Sequence, residues 1–218
     1  MSLVTVMVPC FNAAPFLPQC LQSIREQTHN TVEMVVVDDG STDRSLEVLA
    51  RCAPEATVVR KSHQGIARSL NAALEHARGD FFAWVDADDL WLPTKLERQL
   101  SLLQSQPDLD GCFGGLAEFR EDSSRSERPP GKGLHRGSLL IRKESFFQVG
   151  PFREDIDIGE FIDWYSRARD TGCRFGDIPE TLYLRRIHSS STMQRSPADM
   201  RDYLKVAKAS LDRRRRKG

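Results

Sequence analysis

Three carboxylates, Asp86, Asp88 and Asp89, stand within four residues of one another just after the apolar run Phe81-Phe82-Ala83-Trp84-Val85. Such a run reads as a buried strand, so the carboxylates arrive where a strand ends. Adjacent aspartates repel. A hard divalent cation, Mg²⁺ or Mn²⁺, relieves that repulsion and keeps positions open for the oxygens of a substrate diphosphate. A metal–diphosphate site is the chemistry this predicts. By itself the cluster serves equally as a solvated turn before the helix that follows Pro93, since aspartate favours turns and helix N-termini.

The elements that must carry the cluster are readable from periodicity. Leu3-Val4-Thr5-Val6-Met7-Val8, closed by Pro9, and Val32-Glu33-Met34-Val35-Val36-Val37, closed by Asp38-Asp39-Gly40, are short apolar runs that predict buried strands. Phe16, Leu17, Cys20, Leu21 and Ile24 recur at helical spacing between them, as do Ile66, Leu70, Ala73, Leu74 and Ala77 before Phe81. Strand and helix alternate over residues 1–105. This predicts an α/β fold with a mostly parallel, Rossmann-like central sheet flanked by helices, binding ligands beyond the carboxyl ends of its strands. Asn12, the segment Asp38 to Asp43, and Asp86 to Asp89 all fall at that edge.

Composition sets the limits. The chain has 218 residues, 39% hydrophobic and 28% charged, with Lys+Arg and Asp+Glu equal at 31 each. That is enough chain for a real core, and one domain over 1–218 is expected. No apolar run approaches the roughly 20 residues a spanning helix needs, and no basic region with an apolar core opens the sequence, so a cytoplasmic location is expected. The five cysteines (Cys10, Cys20, Cys52, Cys112, Cys173) are widely spaced and suggest neither a disulfide framework nor a zinc site. Residues 201–218 carry eight Lys or Arg against Asp202 and Asp212, which polarises an otherwise neutral chain.

At this point four ordered motifs carry a resemblance. Val8-Pro9-Cys10-Phe11-Asn12, Val37-Asp38-Asp39-Gly40-Ser41-Thr42-Asp43, Gly65-Ile66-Ala67 through Asn71, and Asp86-Ala87-Asp88-Asp89 together resemble family 2 glycosyltransferases over roughly residues 3–192. The resemblance implies a GT-A fold: a nucleotide-sugar-binding half over 1–105, and over 106–195 an acceptor-side half with a smaller sheet and helix region. It also implies a nucleotide-sugar donor and transfer of a hexosyl residue to an acceptor hydroxyl of the inverting type. Donor contacts then fall to Pro9, Phe11, Asn12, Asp38, Asp39, Gly65, Asn71, Asp86, Ala87 and Asp88. Within that set Asp39, with Asp38, would accept from a pyrimidine ring N–H, which favours UDP. A carboxylate among Asp86, Asp88 and Asp89 would contact the ribose, while Asp88 and Asp89 would hold Mn²⁺ or Mg²⁺ against the diphosphate, where a Lewis acid stabilises the departing charge.

The second half resembles the family less closely. Gly159-Glu160-Phe161-Ile162-Asp163-Trp164-Tyr165-Ser166-Arg167 is similar to a segment in which an acidic pair opens a helix, but Phe161 stands where many relatives have the Asp that serves as base. Glu160 and Asp163 lie three apart and share a helix face, so either can be the catalytic base, with Glu160 favoured. Tyr183 to His188 resembles the family's closing stretch, making His188 a candidate third metal ligand that would favour Mn²⁺ over Mg²⁺. His135 to Ile141 looks like a strand lining the acceptor side, and Ser123 to Gly133 reads as a loop. Over 196–218, Tyr203, Leu204, Ala207 and Leu211 predict a basic helix that either packs on the core or makes peripheral contact with the inner face of a membrane.

Nucleic-acid binding is not expected, and neither a Gly-rich phosphate loop nor its Lys and Arg follow the first strand, which disfavours a nucleotidyltransferase. A catalytically silent nucleotide-sugar-binding relative is the remaining alternative, motivated by Phe161. The sequence leaves saccharide, lipid-linked sugar and peptide open as acceptors.

Overall fold

The computed structural model describes residues 2–120, 131, 133–156, 158–188 and 197–215. Among them, eight strands form one sheet in the order β3-β2-β1-β4-β7-β6-β8-β5. These are β1 (Val4–Cys10), β2 (Val32–Asp38), β3 (Thr57–Arg60), β4 (Phe81–Trp84), β5 (Leu90–Trp91), β6 (Gly111–Phe119), β7 (Leu139–Arg142) and β8 (Phe175–Arg186). The first four pair in parallel. β7 runs antiparallel to β4 and β6, while β8 runs parallel to β6 and antiparallel to β5. The second half of the chain thus extends the same sheet.

Helices cover both faces. The side chains of β1 alternate across the sheet, as strand geometry requires. Val4, Val6 and Val8 join a core with Leu17, Leu21 and Ile24 of α1 (Leu17–Arg25), Leu49 of α2 (Ser45–Cys52), and Leu96 and Leu100 of α4 (Lys95–Ser105). Met7 faces the other way, into a core with Leu70 of α3 (Ile66–Leu74), Phe146 of α5 (Lys143–Val149) and Trp164 of α6 (Glu160–Asp170).

Pro9 lies inside β1, which continues past the expected stop. β4 pairs with β1 only as far as Met7, so at Pro9 no ladder is lost on that side. The edge strand β3, with three of its four residues exposed, escaped the periodicity analysis because it has no buried face to mark it.

Two further expectations are corrected. His135 to Ser138 is not strand. Arg136–Ser138 form a 3₁₀ turn, and β7 begins only at Leu139. The helix after Pro93 is separated from the aspartates by β5.

The last helix, α7 (Pro197–Arg215), packs against α6 through Asp202, Val206 and Ser210. Tyr203, Leu204, Ala207 and Leu211 face outward, with Leu204 63% and Leu211 56% exposed. Buried polar partners outbid apolar periodicity here: Arg213 pairs with Asp170 and Asp163 of α6. The segment Ser123 to Gly133 lies largely outside the described residues.

The five cysteines are free thiols, four of them buried.

Candidate active site

Three loops at the carboxyl edge of β1, β2 and β3 interlock before any ligand is considered. Asn12, in the left-handed region at φ 49°, accepts at Oδ1 from Thr42 N at 2.8 Å and Asp43 N at 3.3 Å, while its own N–H donates to Ser41 Oγ. Asp43 accepts from Ala14 N and from Ser45 N and Oγ at the start of α2. Burial works against its charge, but these bonds hold the Asp43 carboxyl below its ordinary value. Gly40 turns the chain at φ +79°. A Cβ there would stand 2.9 Å from His63 N, so glycine is required both for conformation and for room.

Asp39 receives Gln64 N and Gly65 N, each at 2.9 Å, with His63 Nδ1 3.1 Å away. The His63 ring stacks on Phe11 at 4.1 Å, and Phe11 is 45% exposed. Asp38 is buried, and its Oδ1 has no partner among the described residues.

Ala87 packs in the core, and Asn71 lies elsewhere. Its side chain clasps Phe152 N, Phe152 O and Glu154 Oε1, bracing α3 against the segment before α6.

The aspartates after β4 divide three ways. Asp86 accepts from Arg136, whose other terminal nitrogen donates to Glu160 at the start of α6. Burial opposes the charge on Asp86, but the Arg136 guanidinium outweighs it and holds the carboxyl below the usual aspartate value. Arg136 is held correspondingly firmly charged, burial notwithstanding, by Asp86 and then Glu160.

Asp88 reaches His188 Nε2 with Oδ2 at 3.0 Å, and both side chains remain partly exposed. Asp89 turns inward: Tyr183 Oη donates to Oδ2 and Arg186 N to Oδ1 at 2.7 Å. Burial, then the charges of Asp86 and Asp88, push the Asp89 carboxyl well up. Both Asp89 oxygens being engaged within the protein, Asp88 and His188 are the partly exposed members of the expected metal set.

Among the described residues no group of three or more His, Cys, Asp or Glu side chains is gathered to hold a metal. The Asp88 and His188 donor set fits an open site in which diphosphate oxygens supply the other ligands.

Asp163 is fully buried and faces away. Arg167 Nε donates to it at 2.8 Å, and Arg153 and Arg213 lie at 3.6 and 3.5 Å. Phe161 packs among Phe113, Trp164 and Tyr165.

The residue that sequence reasoning missed is Arg136, which is 6% exposed and joins the donor edge to α6. A signal was present, since a buried arginine three residues before a buried strand needs a carboxylate partner. The partners lie 50 and 24 residues away in sequence.

A parallel α/β sheet whose carboxyl edge gathers the aspartates after β2 and β4, continued by β7, β6 and β8 and covered by α6, which opens with Glu160, defines a GT-A glycosyltransferase fold. The signature of glycosyl transferase family 2 matches residues 5–154, and the chain belongs to that family. It is 28% identical over 217 residues to the putative glycosyltransferase EpsE of Bacillus subtilis, covering 88% of this chain and 76% of EpsE. The S. aureus TarS 1–349 complex with UDP-GlcNAc superposes with a TM-score of 0.80 at 18% identity, over 97% of this chain and 66% of that one. The mannosyltransferase PcManGT from Pyrobaculum calidifontis, in complex with GDP-Man and Mn²⁺, gives 0.75 at 23% identity, over 95% and 64%. Against curated relatives the chain spans from 30% to 76% of their length.

Proposed function

We propose that this chain transfers a hexosyl residue from a nucleotide-sugar, UDP-linked, to an acceptor hydroxyl with inversion. The observation that carries the proposal is Arg136, which brings Glu160 and the donor-side Asp86 onto one guanidinium beside the Asp88–His188 pair. Phe11 offers a stacking surface for a planar base, a capacity already exercised by His63. The Asp38–Asp39 pair lies next to it, and its carboxylates are the acceptors proposed for a ring N–H.

Asp88 and His188 would hold Mn²⁺ or Mg²⁺, with Mn²⁺ favoured by the imidazole, and when bound the ion stabilises the negative charge of the departing diphosphate. Glu160 acts as the base. It takes the proton of the acceptor hydroxyl as that oxygen bonds to the anomeric carbon and the bond to the diphosphate oxygen breaks. Asp163 is assigned to structure, since three arginines enclose it.

The outward stripe of α7, with Leu204 and Leu211 beside Lys205, Lys208 and Arg215, supports peripheral contact with an anionic membrane surface.

The test is a thermal-shift screen of UDP, GDP, dTDP and CDP with and without Mn²⁺, followed by donor hydrolysis. A UDP-selective, Mn²⁺-dependent shift with slow UDP release that is lost in Asp88→Asn is expected. A shift without release would make the chain a binder, the outcome Phe161 motivates. No shift would remove the donor site.

A further inference from the structure

Beneath the Arg136–Ser138 turn lies a buried charged group that the proposed chemistry does not use. Lys95 opens α4 and is fully buried, as is Gln99 one helical turn later. Lys95 Nζ donates to Gln99 Oε1 at 2.7 Å and lies 4.0 Å from the centroid of the Trp91 ring. With its oxygen so occupied, Gln99 presents its NH₂ to the other side, where Nε2 donates to Cys112 O at 2.9 Å and Ser138 O at 2.8 Å. Trp91 Nε1 donates to Gly137 O at 3.0 Å.

The two carbonyls that follow Arg136 are therefore both held from below by side chains. From the other side Tyr183 closes on Gly137 so tightly that a Cβ there would meet its ring at 2.4 Å. The turn has no slack.

A lysine is an expensive residue at this place. Burial pulls it down to about 7, and the nearest titratable neighbour, the thiol Cys112, is itself pushed up to about 12 by burial and supplies no countercharge near neutral pH. A methionine or leucine of similar volume would avoid that cost. What an apolar residue cannot do is occupy the amide oxygen. The two carbonyls already turn the NH₂ toward themselves, and the Lys95 donor holds the buried oxygen at the other end, so the amide is gripped from both sides.

We propose that Lys95 is a positioning residue: by anchoring the buried Gln99 amide oxygen it holds the turn that places Arg136 between Asp86 and Glu160. The inference rests on the role given above to Asp86, Arg136 and Glu160 in sugar transfer. Lys95 touches no reacting group, so its effect travels through Gln99 to Ser138, with the Trp91 ring beneath it leading to Gly137. Removing it should loosen the turn while leaving the donor-side loops intact.

The experiment compares Lys95→Met, Gln99→Leu and the double variant with the native chain. Turnover and donor KM, thermal unfolding, and hydrogen exchange at the Gly137 and Ser138 amides are measured, with UDP-sugar and Mn²⁺ as the probe. Lys95→Met should unfold no earlier than the native chain, while kcat falls roughly ten- to hundredfold, as for a site misplaced by about an ångström. Donor KM should stay nearly unchanged, and exchange at the two amides should quicken. The double variant should lose less than the product of the two single losses, because Lys95 acts on the turn chiefly through that amide.

Native kcat in Lys95→Met, a loss that merely tracks unfolded protein, or losses that multiply in the double variant would each overturn the assignment. Should the native chain turn over no donor, the proposed function fails, but the exchange measurement still decides this inference. Faster exchange in a folded Lys95→Met supports it, and unchanged exchange refutes it.

Discussion

Arg136 and Glu160 form a buried ion pair whose guanidinium reaches Asp86 with its other terminal nitrogen. One cation thus neutralises two carboxylates from opposite sides of the crevice, one after β4 and one at the start of α6. Removing it strands both. Arg136→Met should cost about 3–5 kcal/mol, the usual penalty for uncovering buried charge, read as a lowered denaturation midpoint at unchanged m-value. Glu160→Gln keeps a hydrogen-bond acceptor for Arg136 and should fold normally while losing roughly 10²–10⁴ in kcat, the worth of a general base. A Glu160→Gln variant with native turnover would remove Glu160 from the chemistry.

Asp163 should behave in the opposite way. Its carboxylate balances Arg167, Arg153 and Arg213, and it has no exposed surface toward the crevice. Asp163→Asn should lower stability by about 1–3 kcal/mol, the arginines being partly solvated, and leave kcat of the folded fraction close to native. Comparing Glu160→Gln with Asp163→Asn under one assay separates the two carboxylates that sequence spacing alone could not.

The sequence made the donor half legible because its signals are local. Val4 to Val8, Val32 to Val37 and Phe81 to Trp84 are strands on apolar pattern, and Asp38 to Asp43 and Asp86 to Asp89 fall at the carboxyl ends of the last two by connectivity. What pattern could not supply was the choice among neighbours in a cluster. Asp88 and Asp89 are adjacent and chemically identical, yet Tyr183 and the Arg186 amide, about a hundred residues on, draw Asp89 into the core and leave Asp88 with His188. Glu160 and Asp163 divide in the same way, through arginines distant in sequence. Which face of α7 is buried could not be read for the converse reason, because polar partners on α6 determine it.

Lys95 gives the chain a pH signature. Its folded value, about 7, lies below that of an unfolded lysine near 10.4, so between the two the unfolded chain binds more protons and stability must rise with pH. The sign is that of a buried base: the penalty for charging is present in full below about 7 and is relieved as pH rises through the window. Lys95→Met removes the term. The native chain minus the variant should therefore gain unfolding free energy from pH 7 to 9 at up to about 1.4 kcal/mol per pH unit, with the cysteines cancelling in the difference. Urea melts at several pH values measure it, and a flat difference would place Lys95 in a wetter setting than the structure gives.

The outward face of α7 makes a prediction that does not depend on catalysis. Leu204 and Leu211 lie exposed with Lys205, Lys208 and Arg215 about them, an arrangement that can enter the headgroup region of an anionic bilayer while the charges stay at its surface. Co-sedimentation with vesicles containing phosphatidylserine should exceed that with neutral phosphatidylcholine vesicles and weaken as salt rises, since screening shortens the reach of the basic residues. Leu204→Gln with Leu211→Gln should abolish the binding at unchanged thermal stability, because neither side chain is packed in the fold. Lys205→Ala is the less informative change, since that ammonium also holds Asp202 at 2.6 Å and its loss would disturb the seat of the helix. Equal binding to both vesicle types would leave α7 as a helix whose basic residues serve only its packing on α6.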